Sequence, residues 1–469
     1  MDLVEKFFLD SLLCGVSALA AGTNAPTILR AEALDYPALN PARGATLFGS
    51  STLVHPEKAV LANCAAVREW DSNGTNFGYD PARGNTAGEF GHNDFYPVVV
   101  AAAQQCGWNG PQLLRGMLAL DEIRGRLAEV FSLKSHKIDH VVHGAIASAV
   151  VYGAALGCTV DQIESAVGLF IAHAIPFRAI RHGQQLSDSK GASAAISTEL
   201  AIQAVHRAQR GFVGPADIFR NPEAIFCLFE RPARQGESPF DLELALSGDD
   251  FAIAGMHFKL GLYEHQSAGA IQGVLDLLAA EPGLLDSADA ISEICVTIYE
   301  PAYHIICDPY KWRPATRQSA DHSLPYIIAT LLRKALEQRT ADWQTLMLLP
   351  EDYSTVALGH PVTRALMERV KLEHGGAEFD RRYPEGIPTR VAIAHRLLGT
   401  LQSELVMFPT GHARNTAAPL ADLLAYKFHA LASMASGQPG ELIARLGNIA
   451  GKSSTDVRAL YDFRIHGME

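Results

Sequence analysis

Between Val98 and about Ala208 the apolar residues recur at three- and four-residue spacing, and alanine is frequent. That period predicts helices. "NGPQLLRGMLALDEIRGRLAEVF" reads as one of them. "HVVHGAIASAVVYGAALGCTVDQIESAVGLFIAHA" reads as two more, apolar nearly all round and therefore expected to be buried. "SAAISTELAIQAVHRAQRG" is another, stopped at Gly211. In "FFLDSLLCGVSALAAG", Phe7, Leu12, Leu13 and Val16 fall at helical spacing and predict an amphipathic first helix. Near the other end, "LADLLAYKFHALASMA" and "PGELIARLGNIA" belong to the same helical layer. Between them the texture changes. "SEICVTIYEPAYHII" is β-branched and alternating, a strand pattern, and "IPTRVAIAHRLLGTLQSELVMFP" reads as two short strands. The pattern predicts a mostly α chain: a large all-helical domain formed by both chain ends (1–249 and 409–469), with a smaller α+β domain (250–408) inserted.

The chain has 469 residues, longer than single cores usually grow. Hydrophobic residues make up 48% and charged residues 19%, a globular composition. The formal net charge is −12 and no run of Lys or Arg occurs, which argues against nucleic-acid and anionic-membrane partners. No run is long and charge-free enough to span a bilayer. At the N-terminus Asp10 interrupts the apolar stretch, and Asp2 and Glu5 outnumber Lys6, so a secretory leader is not expected. The seven cysteines are dispersed without a CxxC, as in a reducing compartment. The expectation is a soluble, cytoplasmic protein.

Chemistry concentrates in a few polar stretches. "EWDSNGTNFGYDPARGNTAGEFGHNDFYP", Glu69 to Pro97, is either a long surface loop or one wall of an active site. "FRAIRHGQQLSDSKGASAA" gathers Arg178, Arg181, His182 and Lys190 ahead of a helix start, where cations and free backbone N–H groups favour an anion. "HKIDHVVH" sets His136, His140 and His143 at positions that would share a helix face. That is a metal-ligand spacing, but no cysteine or carboxylate ligand accompanies it, so separate roles with one catalytic histidine are expected and no metal. "MHFKLGLYEHQSAGAI" carries His257, Lys259, Tyr263 and His265; for any one of these histidines a core position is the default reading. "DPYKWRPATRQSADHSLPYIIA" holds Lys311, Arg313, Arg317, Asp321, His322 and Tyr326. An acidic chain with cations at loop-to-helix junctions suits a small polyanion. No dinucleotide fingerprint, Walker loop, nucleophile elbow or HExxH motif is present.

The ordered series "REWDSNGT…GEFGHND", "DHVVHGAIASAVVYGAALG", "RHGQQLSDSKGASAA", "FKLGLYEHQSAGAI", "ADHSLPYIIATLL", "EFDRRYPEGIPTRV" and "FPTGHARN" resembles the MmgE/PrpD family over nearly the whole chain. The family includes 2-methylcitrate dehydratases, cis-aconitate decarboxylases and an iminodisuccinate epimerase. The resemblance implies a helical domain with an inserted α+β lid, an active site between them, and a homodimer. It implies catalytic roles for Asp71, His92, His140, Lys190 and His265. Thr75, Arg181, His182, Arg317, His322 and Tyr326 are the expected substrate contacts. It further implies dehydration of 2-methylcitrate or a close tricarboxylate with no cofactor. Decarboxylation or epimerisation of a related acid, or a non-catalytic homologue, are the alternatives. Where the family often reads "LDFNDT", this chain has "WDSNGT", followed by a longer insertion, Asn76 to Gly91.

Overall fold

The computed structural model describes residues 1–181, 185–306 and 309–468. Helix dominates, as the periodicity predicts, and strands are few. Among the described residues no helix is long and apolar enough to cross a membrane, and no disulfide joins the six described cysteines. The chain divides into two compact units: Met1–Ile180 with Asp188–Met256 and Phe428–Glu469, and Arg181–Ser187 with His257–Lys427.

The first unit is a helical assembly. Its opening helix, Asp2–Ala20, is buried on every side from Asp10 to Leu19. The amphipathic reading is thus corrected: small residues (Gly15, Ser17, Ala18) let neighbours pack all round it. Ser17 satisfies its hydroxyl on the Leu13 carbonyl (2.7 Å) and accepts from Trp70 Nε1 (2.9 Å). Helix Val141–Ala155 is buried almost throughout, as expected. Gly144 is required there, because a Cβ would lie 2.0 Å from the Phe95 ring. Helix Val160–His173 departs from expectation. Only Ala166–Ile171 are buried, and Val160, beside the Thr159/Gln162 capping box, is 81% exposed. Helix Asp188–Gln209 packs on Pro56–Arg68, Val141–Ala155 and Val160–His173.

The C-terminal segment completes this unit. Gly110 N–H donates to the Lys452 carbonyl (2.8 Å), and Ser50 N–H to that of Tyr461 (3.0 Å). Ile449 N–H donates to Glu5 Oε1 (3.0 Å), and Tyr461 meets Phe48 edge to face at 4.7 Å. Residues 211–250 hold one short helix, Ile225–Phe229, and pack through Phe219, Phe226 and Phe240 onto Phe131.

The second unit is built on a four-stranded sheet in the order Val370–His374, Ile291–Ile298, Thr389–His395, Gly399–Gln402. The first pair is parallel, with Ile294 opposite Val370; the others are antiparallel. Ile291, Ile294, Val296 and Ile298 face inward with Val391 and Ile393. Helices Ala268–Ala280 and Leu324–Gln338 pack on this sheet and on each other. The strand expected over "SEICVTIYEPAYHII" ends at Ile298; its tail turns into the helix Ala302–Ile306.

Candidate functional site

Helix Pro56–Arg68 ends at a buried arginine, and the chain turns sharply just beyond it. Asp71 sits in that turn with φ +50°, a left-handed conformation that an aspartate adopts at a cost of about 1 kcal/mol. The turn aims its carboxylate inward. Arg68 Nη1 donates to Asp71 Oδ1, and Lys190 Nζ lies 3.0 Å from Asp71 Oδ2. Lys190 comes from the first turn of helix Asp188–Gln209 and is 1% exposed. Asp94 completes the group: its Oδ2 lies 3.7 Å from Arg68 Nε, and its Oδ1 accepts from Asn73 Nδ2 at 2.7 Å. Two buried cations thus face two buried carboxylates. Such groups stay ionised out of water only when each has its counter-charge.

Beside this lies a two-residue antiparallel ribbon, Thr75–Asn76 with Gly91–His92, in which Thr75 pairs with His92. Thr75 Oγ1 donates to the Gly91 carbonyl (3.0 Å), and Arg124 Nη1 donates to Asn76 Oδ1 (2.6 Å) and to the Gly91 carbonyl (3.2 Å). So anchored, the ribbon sets His92 Nδ1 at 3.8 Å from Asp71 Oδ1. That is too long for a hydrogen bond. The His92 ring meets that of His140 at 5.4 Å, and Phe90 flanks His140 at 5.2 Å. His140 stands at the N-cap of helix Val141–Ala155, with Asp139 Oδ1 3.7 Å from its Nδ1. The arrangement offers two adjacent imidazoles beside a charge-balanced group of Asp71, Asp94, Lys190 and Arg68, a setting suited to moving a proton.

The structure therefore brings together Asp71, Thr75, His92, His140 and Lys190. It does not give His136, His140 and His143 a common helix face. His136 ends a 3-10 turn, Lys137 is left-handed, and the helix starts only after His140. His136 stacks on Phe229 (4.8 Å) and reaches Glu230 (3.0 Å). His143 Nε2 meets the Phe131 carbonyl (3.0 Å), and burial pushes its pKa down to about 4.

Sequence reasoning passed over Arg68, Asp94, Arg124 and Arg126. The first two complete the charge balance; Arg124 holds the ribbon. Arg126 pins the Asn76–Gly91 insertion through Asp80 (2.8 Å), while also binding Glu122 (2.8 Å) and Glu129 (3.0 Å). Gly78 lies in the same insertion at φ +45°, so close to the main chain that a Cβ would sit 2.1 Å from the Ala128 carbonyl oxygen.

In the second unit His265 precedes helix Ala268–Ala280 and stacks on His257 at 5.4 Å; His257 meets His412 at 4.0 Å. Ala413 N–H donates to His257 Nδ1 (2.9 Å) and Arg414 N–H to His412 Nδ1 (3.1 Å). Both rings accept at Nδ1, so the neutral form of each carries its proton on Nε2. Burial, then the neighbouring histidines and Arg414, push His257 well below its ordinary range. Burial and then Arg414 push His412 down to about 3. Asp321 lies between Arg317 (3.0 Å) and His322 Nδ1 (2.6 Å). Tyr326 is fully buried and gives its hydroxyl to the Asp352 carbonyl (2.6 Å); burial pushes its pKa up to about 12. Arg181 closes the turn Arg178–Arg181 and is half-buried. His182, like Cys307, lies outside the described residues.

Two family models match the chain: the MmgE/PrpD N-terminal domain over residues 1–234 and the MmgE/PrpD C-terminal domain over 263–443. The chain is 24% identical to a 2-methylcitrate dehydratase of Salmonella typhi, over 89% of this chain and 83% of that one. It is 25% identical to the 2-methylcitrate dehydratase of Cupriavidus necator, over 91% and 84%. A mitochondrial 2-methylcitrate dehydratase of Yarrowia lipolytica is 23% identical, over 88% and 76%.

Proposed function

The chain belongs to the MmgE/PrpD family, and from that premise we propose that it is a hydro-lyase which dehydrates 2-methylcitrate or a close tricarboxylate to an aconitate-type alkene. The observation that carries this reading is the buried His92–His140 pair at 5.4 Å beside the Asp71–Lys190 contact at 3.0 Å. A C–H α to a carboxylate is poorly acidic. Its removal needs a base near neutral pKa and a cation where the enediolate charge appears. In the proposal one imidazole takes the proton, the other protonates the departing hydroxide, and Lys190 stabilises the developing charge. Asp71 holds Lys190 in place. Alkene formation then balances as loss of water, with no redox change.

The test is proton NMR of purified, chelator-treated protein with 2-methylcitrate, citrate and cis-aconitate in separate tubes. Conversion of 2-methylcitrate to 2-methylaconitate is the expected outcome. Itaconate from cis-aconitate would replace this reading with decarboxylation. No turnover in any tube would reject the proposed substrate class.

A further inference from the structure

The first unit holds a cationic concavity away from the histidine pair. It is a cavity of about 570 Å³ lined by Arg43, His55, Glu57, Gln105, His206 and Arg210 among others. Two helices join it to the cluster described above. Pro56–Arg68 starts at the cavity and ends at Arg68, and Asp188–Gln209 starts near Lys190 and ends at the cavity. At 1.5 Å per residue the 13-residue helix separates the two places by roughly 18 Å.

The chemistry of the cavity is lopsided. Among the described residues the Arg43 and Arg210 guanidinium groups have no ion pair and no hydrogen bond, and both are exposed at its wall. The one carboxylate in the lining is Glu57. It lies between two imidazoles, 3.6 Å from His55 Nδ1 and 3.7 Å from His206 Nδ1. Lys58, the next cation along, is already held by Glu32 (2.5 Å) and Glu199 (2.7 Å). The floor is a polar chain: Gln105 Nε2 donates to Tyr152 Oη (2.8 Å), which meets His206 Nε2 at 3.2 Å. In a chain of net charge −12, this cavity sets two unspent guanidiniums against one carboxylate.

We propose that this cavity is a binding site for a small anion carrying two or more negative charges, a polycarboxylate or a phosphate, held by Arg43 and Arg210. Guanidinium groups match both anions in bidentate geometry. His206 adds a signature. It is held below its ordinary range by burial, opposed by Glu57 and reinforced by the charges of Arg210, Arg43 and His55. An anion that neutralises the two arginines lifts their share of that pressure, so binding draws a proton onto His206.

The experiment is isothermal titration calorimetry of the full chain at pH 7, with malonate and inorganic phosphate titrated separately and each repeated in buffers of different ionisation enthalpy. One saturable site with net proton uptake is expected for at least one of the two anions. Arg43→Ala and Arg210→Ala should each weaken it about tenfold, the loss of one charge-assisted contact. His206→Gln should keep most of the affinity and abolish the uptake; uptake that survives this change overturns the role given to His206. No saturable heat with either anion overturns the site. So does binding that survives the double arginine variant but is lost in Lys190→Met, since the anion then sits at the other cluster.

Discussion

Lowering the pH from 7 to 5 should loosen the second unit through its buried histidines. His412 is 3% exposed, and its folded pKa is about 3 against an ordinary 6.5; His257 is also displaced downward. For a depressed imidazole the unfolded chain takes the proton first. The stabilisation is therefore whole above pH 6.5 and drains as the pH falls toward the folded value. Integrating that linkage between pH 7 and 5 gives about 2 kcal/mol for one such histidine, and the figure hardly changes for any folded pKa of about 4 or below. His257, displaced in the same direction, adds to the loss. Asp380, a carboxylate of this unit, is held below its usual range and stays out of the window. The assay is native-state hydrogen exchange of the strands Ile291–Ile298 and Thr389–His395 in the full chain at both pH values. His412→Asn keeps an acceptor for the Arg414 N–H without titrating, and should remove about 2 kcal/mol of the pH dependence. Equal protection at pH 7 and 5 in the parent chain, or an undiminished slope in the variant, would refute the reasoning.

Lys190→Met should lower kcat for the proposed dehydration by about 100-fold, as loss of a transition-state charge does, with KM much less affected; steady-state kinetics decide. Asp71→Asn leaves Arg68 and Lys190 short of a buried counter-charge and should destabilise the first unit by about 3–5 kcal/mol, read as a lowered Tm. Gly144→Ala drives a methyl into the Phe95 ring and should destabilise by about 1–3 kcal/mol, read as a lowered Tm. Arg126→Met takes a shared counter-charge from Glu122, Glu129 and Asp80, and should expose the Asn76–Gly91 insertion to limited proteolysis at temperatures the parent chain resists.

What the sequence made legible follows from how local each signal is. Thr389–His395 was readable because Thr389, Val391, Ile393 and His395 alternate inward with no exception. Val370–His374 was not: only Val370 of that edge strand is buried, so no period marks it. The first helix was placed but misjudged, because periodicity reports the apolar face and not small residues that admit neighbours on the polar one. Within the candidate cluster, His92, His140 and Lys190 were visible as motif residues. Their convergence was not, since it depends on a left-handed Asp71 and on charges from Arg68 and Asp94, which other elements deliver. The three histidines of "HKIDHVVH" failed for the converse reason: a spacing implies a face only where the backbone is continuous helix.

The first unit is sewn from both ends of the chain, and this sets a schedule for its birth on the ribosome. Glu5, Phe48, Ser50 and Gly110 find their partners in Ile449, Lys452 and Tyr461. Synthesis from residue 256 to residue 469 takes roughly 10–40 s. For that interval the nascent helical half carries an open apolar seam, with Phe48 uncovered. Chaperone capture should accordingly be heaviest on chains that have emerged as far as residue 256 but not yet Tyr461.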